Sequence, residues 1–139
     1  MSRRRRCLVV RVAAVVLLVG AAALARADDF AGARMSDGIE AYRSRQFAEA
    51  ADQFRIACFG LLDQPVRLSE GLVRLALAQE ALGRKEGVTA ALKRFVEVEK
   101  RFGAYSGARV DAGMRGEFEA LLFARVPAET LAAVPSLSR

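Results

Sequence analysis

The chain of 139 residues has no histidine and no tryptophan, and only two cysteines, Cys7 and Cys58. Without imidazole there is neither a serine–histidine or cysteine–histidine nucleophile pair nor a histidine ligand for a metal. Two cysteines build neither a zinc cage nor a disulfide framework. Proline occurs only at Pro65, Pro127 and Pro135, so long stretches lack the residue that breaks helices. Sustained alternation of apolar and polar residues is missing as well, which removes the usual sign of half-buried strands. Lysine is confined to Lys85, Lys93 and Lys100, all in stretches that read as solvent-facing, where a solvated charge is the default. The acidic pairs Glu97/Glu99 and Glu117/Glu119 point to different helix faces, and Glu49 with Asp52 shares its face with Arg45 and Arg55. Neither a glycine-rich phosphate loop nor calcium-loop spacing is present. These absences predict no enzyme, with no catalytic residues, no cofactor and no metal site.

The net charge of +6 is not spread over the chain. Arg3, Arg4, Arg5, Arg6, Arg11 and Arg26 precede the first acidic residue, Asp28, and from there on 16 basic residues face 16 acidic ones. The body therefore carries no electrostatic case for a nucleic-acid partner.

Residues 1–27 have the three parts of a secretory signal: the arginine block, an unbroken apolar run of 14 residues from Val12 to Ala25, and the small-x-small end Ala25-Arg26-Ala27. As a helix that run spans roughly 21 Å, short of a hydrocarbon core of about 30 Å. The expectation is export across the inner membrane to the periplasm, with a mature chain starting at Asp28 and making no membrane contact. The alternative is an N-terminal anchor. Cys7 precedes the apolar run, the wrong side for a lipid-modified cysteine. The body uses 13 Arg against 3 Lys and is rich in Ala, Val and Leu, a composition that suggests a bacterial source. Cys58, alone in the mature chain, reads as a small core residue.

Beyond residue 28, apolar residues recur at three- and four-residue spacing, the period of amphipathic helices. Five helices are predicted, over about 29–45, 47–62, 66–82, 87–102 and 107–124, with a last short turn after Pro127 and a frayed tail. Domain boundaries follow: 1–27 signal, 28–126 helical body, 127–139 turn and tail. The third helix is apolar nearly all round and should be central. Val88, Ala91, Leu92, Phe95, Val98 and Phe102 give the fourth the cleanest stripe, with Glu97 and Arg101 placed as an i,i+4 pair. Val110, Met114 and Phe118 of the fifth should pack on the fourth and cap the stack.

Gly38, Phe47, Ala50, Phe54 and Ala57 are spaced as small and aromatic residues of a helix–turn–helix unit. Val88, Ala91, Phe95 and Val98 repeat the later part 41 residues on, with Ala78 supplying the small residue of the first helix. The stretch Asp37 to Ala57 resembles a tetratricopeptide repeat, and Gly71 to Phe102 is a looser match. Arg34 stands where that family often has a bulky apolar residue, and the spacing of 41 exceeds the usual 34. The resemblance implies an all-α, right-handed antiparallel stack of about two helix pairs plus a capping helix. It also implies a concave side, formed by the first helix of each repeat, that holds a peptide or partner helix. Ile39, Tyr42, Arg43 and Gln79 are the partner-binding candidates there. Met35, Leu75 and Leu82 lie on the same side and can equally serve as core. The function expected is a non-enzymatic adaptor or assembly factor; the alternative is a permanently docked structural subunit of a cell-envelope complex.

Overall fold

The computed structural model describes residues 30–137. The signal segment 1–27 and its cleavage point lie outside the described residues. Within them the fold is all-α. The first helix, α1, occupies 30–43. It is followed by α2 (Phe47–Gly60), α3 (Pro65–Ala81), α4 (Lys85–Phe102), a short 3₁₀ turn (Tyr105–Gly107), α5 (Ala112–Arg125) and α6 (Ala128–Ala132). Connections of three or four residues between the first four helices force each to run antiparallel to the one before.

The third helix is central, as its apolar circumference requires. It packs against α2, α4, α5 and the 3₁₀ turn. Leu68, Leu72, Val73, Ala76 and Ala78 are all buried along it. Pro65 occupies its first position, where the missing N–H costs nothing. Phe54 and Phe95, from α2 and α4, are wholly buried, each worth about 1.5–3 kcal/mol of apolar transfer.

Both hairpin turns are built alike. In the first, the Arg45 and Gln46 N–H groups donate to the carbonyls of Tyr42 (3.0 Å) and Ala41 (2.8 Å). In the second, Gly83 and Arg84 donate to Glu80 (2.9 Å) and Gln79 (3.0 Å). Arg45 at φ 60° and Gly83 at φ 67° occupy the same left-handed position. These equivalent turns stand 38 residues apart, not the 41 of the sequence match. A stripe recurring every three to four residues still matches itself after a slip of one turn, which is how the longer spacing arose. In the turn-based register Gly38 corresponds to Ala76 rather than Ala78, and Ala57 corresponds to Phe95.

Several boundaries differ from expectation. The fourth helix starts at Lys85 rather than 87, so Gly87 lies inside it. The fifth starts only at Ala112, where the Asp111 carboxylate accepts the Met114 N–H at 2.9 Å and caps it. Its main contact is with α3, not α4; Phe118 turns toward α4, its ring 4.7 Å from that of Phe95. Tyr105 closes this aromatic group at 5.1 Å from Phe95, and the Arg115 guanidinium lies 4.4 Å over the Tyr105 ring. Glu99 is buried: Oε2 accepts the Tyr105 N–H at 2.8 Å and ties the 3₁₀ turn to α4. Glu97 and Arg101 form no ion pair; Arg101 lies over the Phe102 ring instead. The C-terminal segment expected to fray carries Leu131, Val134 and Leu137 into the core.

Candidate functional site

Three of the four binding candidates meet in one groove. Ile39, Tyr42 and Arg43 of α1 face Arg74 of α3 and Asp111 and Met114 at the start of α5, around a cavity of about 390 Å³. Such a volume lies in the range of ligand clefts. The periodicity of α1 puts Ile39, Tyr42 and Arg43 on its outer side while Ala31, Met35, Gly38 and Ala41 turn inward.

Tyr42 is half-buried, its ring edge-on to Phe47 at 5.2 Å and 69°. Burial raises the pKa of its phenol, and the carboxylates of Glu117 and Asp111 push the same way. The hydroxyl is thus a neutral donor at physiological pH. Arg74 forms the floor. Its guanidinium donates to Glu70 (3.2 Å), to the Arg109 carbonyl (3.2 Å) and weakly to the Met114 sulfur (3.9 Å). It is therefore committed to holding the approach to α5 against α3. Arg43 and Arg45 are different: both are exposed, and no carboxylate in the described residues pairs with either. An apolar and aromatic wall beside two unpaired guanidiniums suits a segment that offers an apolar side chain and a carboxylate.

The fourth candidate, Gln79, is not in this groove. It is buried against α4, where a Cβ at Gly87 would come within 2.7 Å of its amide carbon and oxygen. The register explains the miss. By turn geometry Gln79 matches Ala41, an inward position, whereas setting Ala78 against Gly38 had placed it on the outward Ile39. Met35 and Leu75 are core residues, and Leu82 is half-buried against the core. Arg34, the departure from the repeat pattern, pairs with Asp37 at 2.9 Å and donates to Gln53 at 3.1 Å.

A second, larger groove of about 580 Å³ runs between the outer face of α4 and the C-terminal segment. Leu92, Val96, Val126 and Val134 line it, with Lys93, Glu97 and Lys100 at its rim. Sequence reasoning overlooked it because it exists only once the C-terminal segment packs. Its rim carries both signs of charge, whereas the smaller groove sets the exposed Arg43 and Arg45 beside an apolar and aromatic wall.

The one cysteine among the described residues is no site. Burial pushes the Cys58 thiol up to about 11 against a weaker opposing effect of Arg94, so it is protonated and inert. Among the described residues no group of three His, Cys, Asp or Glu side chains could hold a metal ion, and no helix is long and apolar enough to cross a membrane. No protein family, curated protein or solved structure matches the chain.

Proposed function

We propose that the protein is an exported, non-enzymatic adaptor that holds a segment of another protein in the groove between α1, α3 and α5. The observation that carries this reading is the pair of unpaired arginines, Arg43 and Arg45, beside Tyr42, Ile39 and Met114. Tyrosine and arginine supply contact area and a planar fork, the chemistry of binding hot spots. The tetratricopeptide resemblance supports it further, since α1 and α3 would then be first helices of successive pairs and their shared side the concave one. The signal-like segment 1–27 supports export to the periplasm. A structural subunit of an envelope complex would use the same surface permanently, and co-purification in fixed stoichiometry would favour it.

The test is partner capture from native envelope extract. Arg43→Glu should weaken capture by about tenfold or more. Thermal stability should stay at the parental value, because Arg43 is exposed and has no partner to lose. Tyr42→Ala should weaken capture too, with a small loss of stability from the Phe47 contact. Undiminished capture by both variants would move the site away from this groove.

A further inference from the structure

Seven large apolar side chains are exposed among the described residues, and their placement is uneven. Antiparallel helices bring the start of α1, the end of α2, the start of α3 and the end of α4 to one end of the stack. The structure confirms it: the Arg67 guanidinium approaches Gly32, and Val66 approaches Gly107. Phe30, Phe59, Leu62, Val66 and Phe102 all lie at this end, each between 40 and 66% exposed. Ile56 stands one turn above Phe59 on α2, and Phe123 lies apart from this group on α5, beside Tyr105 and Leu137.

Cations accompany these side chains. Arg34 lies over the Phe30 ring at 5.4 Å, Arg94 over Phe59 at 5.5 Å and Arg101 over Phe102 at 5.2 Å. Lys100, in the last turn of α4, extends the positive rim, against Asp63 and the Asp28-Asp29 pair that precedes Phe30 in the sequence. Exposed aromatics next to arginine and lysine are the composition of surfaces that sit at the headgroup level of a bilayer. The rest of the chain supplies a second indication. The apolar run Val12 to Ala25 enters the fold at Phe30, hence at this same end. Whenever that run is in a membrane, this end faces the lipid.

We infer that this end of the stack docks on an anionic lipid surface, with the phenylalanines seated in the headgroup region and the cations on lipid phosphates. This departs from the expectation of a mature chain without membrane contact. It is docking in the interface plane, not spanning. The groove of Tyr42 and Arg43 opens between α1, α3 and α5 and is separate from the docked end, so the two surfaces can be occupied together.

The absence of tryptophan makes a direct test possible. Full-length Phe59→Trp and Phe102→Trp, each with a single tryptophan, are placed in phosphatidylglycerol-containing vesicles whose acyl chains are brominated near the headgroup. Each should lose most of its fluorescence, since docked apolar faces sit roughly 5–10 Å into the interface. Gln46→Trp, exposed in the α1–α2 turn at the far end, should keep its emission. Lys100→Glu with Arg101→Glu should restore the emission of the Phe59→Trp reporter. Circular dichroism verifies folding. If the two end reporters stay bright, or all three dim alike, the inference is overturned. Quenching that survives the charge reversal would overturn the role of anionic headgroups.

Discussion

The α1–α2 and α3–α4 hairpins reverse the chain with equivalent backbone hydrogen bonds, yet they make room for their helices from opposite sides. In the first, the first helix yields: at Gly38 an added Cβ would lie 2.6 Å from the Phe54 ring. In the second the second helix yields, Gly87 admitting the tip of Gln79 from α3. The first hairpin packs its phenylalanine on Gly38, with Ala50, Ala51 and Ala57 buried along the same helix as Phe54. In the second, Phe95 has Tyr105 and Phe118 edge-on within 5.1 Å. One backbone turn thus serves two different ways of packing. The first leaves Ile39, Tyr42 and Arg43 of α1 lining an open groove, and the second ties the 3₁₀ turn and α5 to α4 through Tyr105 and Phe118.

The largest effects should come from the two phenylalanines. Phe54→Ala and Phe95→Ala each remove a wholly buried ring and should cost about 3–5 kcal/mol. Phe95→Ala should be the worse, because each edge-to-face pair adds roughly 0.5–1.5 kcal/mol. Urea unfolding measures both. Equal costs would mean that the aromatic group of the second hairpin adds nothing beyond area, and parental melts would contradict the burial of both rings.

Alkaline titration separates the hairpins another way. Cys58 in α2 and Tyr105 after α4 are acids whose folded pKa values are raised, to about 11 and about 12, in both cases mainly by burial. Each stays neutral in the fold while the unfolded chain ionises. Stability is therefore intact below pH 9 and falls as the pH rises, from 9 to 11 for the thiol and from 10 to 12 for the phenol. The thiol's share is roughly 2–3 kcal/mol once the pH exceeds 11. In Cys58→Ala the unfolding midpoint should fall less than the parent's between pH 9 and 11, and Tyr105→Phe should show its flattening later. Parallel slopes for Cys58→Ala and parent would mean that the thiol reaches solvent.

Gly38→Ala against Gly87→Ala sets the two close approaches side by side. At Gly38 the new methyl meets a buried ring with nowhere to go, so overpacking of about 1–3 kcal/mol outweighs the helix-propensity gain of roughly 1 kcal/mol. At Gly87 it meets the tip of a flexible glutamine, so the propensity gain should prevail and the variant should match or exceed the parent in thermal melts. A loss at Gly87 as large as that at Gly38 would show that the buried Gln79 amide is as rigid as the ring.

Legibility in the sequence followed the range of the physics involved. Helix periodicity is local, so the helical segments, the central α3 and the buried Phe54 and Phe95 could all be read. The facing of Ile39, Tyr42 and Arg43 into one groove could be read for the same reason, since they share one helix. Gln79 was misplaced because its position depends on register between hairpins, and a stripe of period near 3.6 matches itself after a one-turn slip. Glu99 looked like an ordinary surface acid because its partner is a backbone N–H six residues on, in a turn with no sequence signature. The packing of Val134 and Leu137, and with it the larger groove, follows from the tertiary approach of the C-terminal segment to α4. Three spaced apolar residues after a proline do not announce that.

The smallest effect lies in the turns themselves. Arg45 holds φ 60° where the equivalent turn has Gly83 at φ 67°. A left-handed conformation costs a residue with a Cβ roughly 1–2 kcal/mol, and glycine escapes that cost. Against this, glycine makes the unfolded chain more disordered, by about 0.4–1 kcal/mol. The balance favours Arg45→Gly by about 0.5 kcal/mol or somewhat more. Because Arg45 is exposed and has no partner, no contact is lost to offset the gain. Gly83→Ala should shift stability the other way by a similar amount, with nothing near its Cβ to complicate the sign. The unfolding midpoints of the two variants should therefore lie on opposite sides of the parent's. A destabilised Arg45→Gly would mean that the arginine side chain supports the turn, and that the first hairpin pays for its left-handed residue with a contact absent from the second. Partner capture adds a further reading. If Arg45→Gly is more stable but captures less, the strained residue is an arginine because the groove needs its charge.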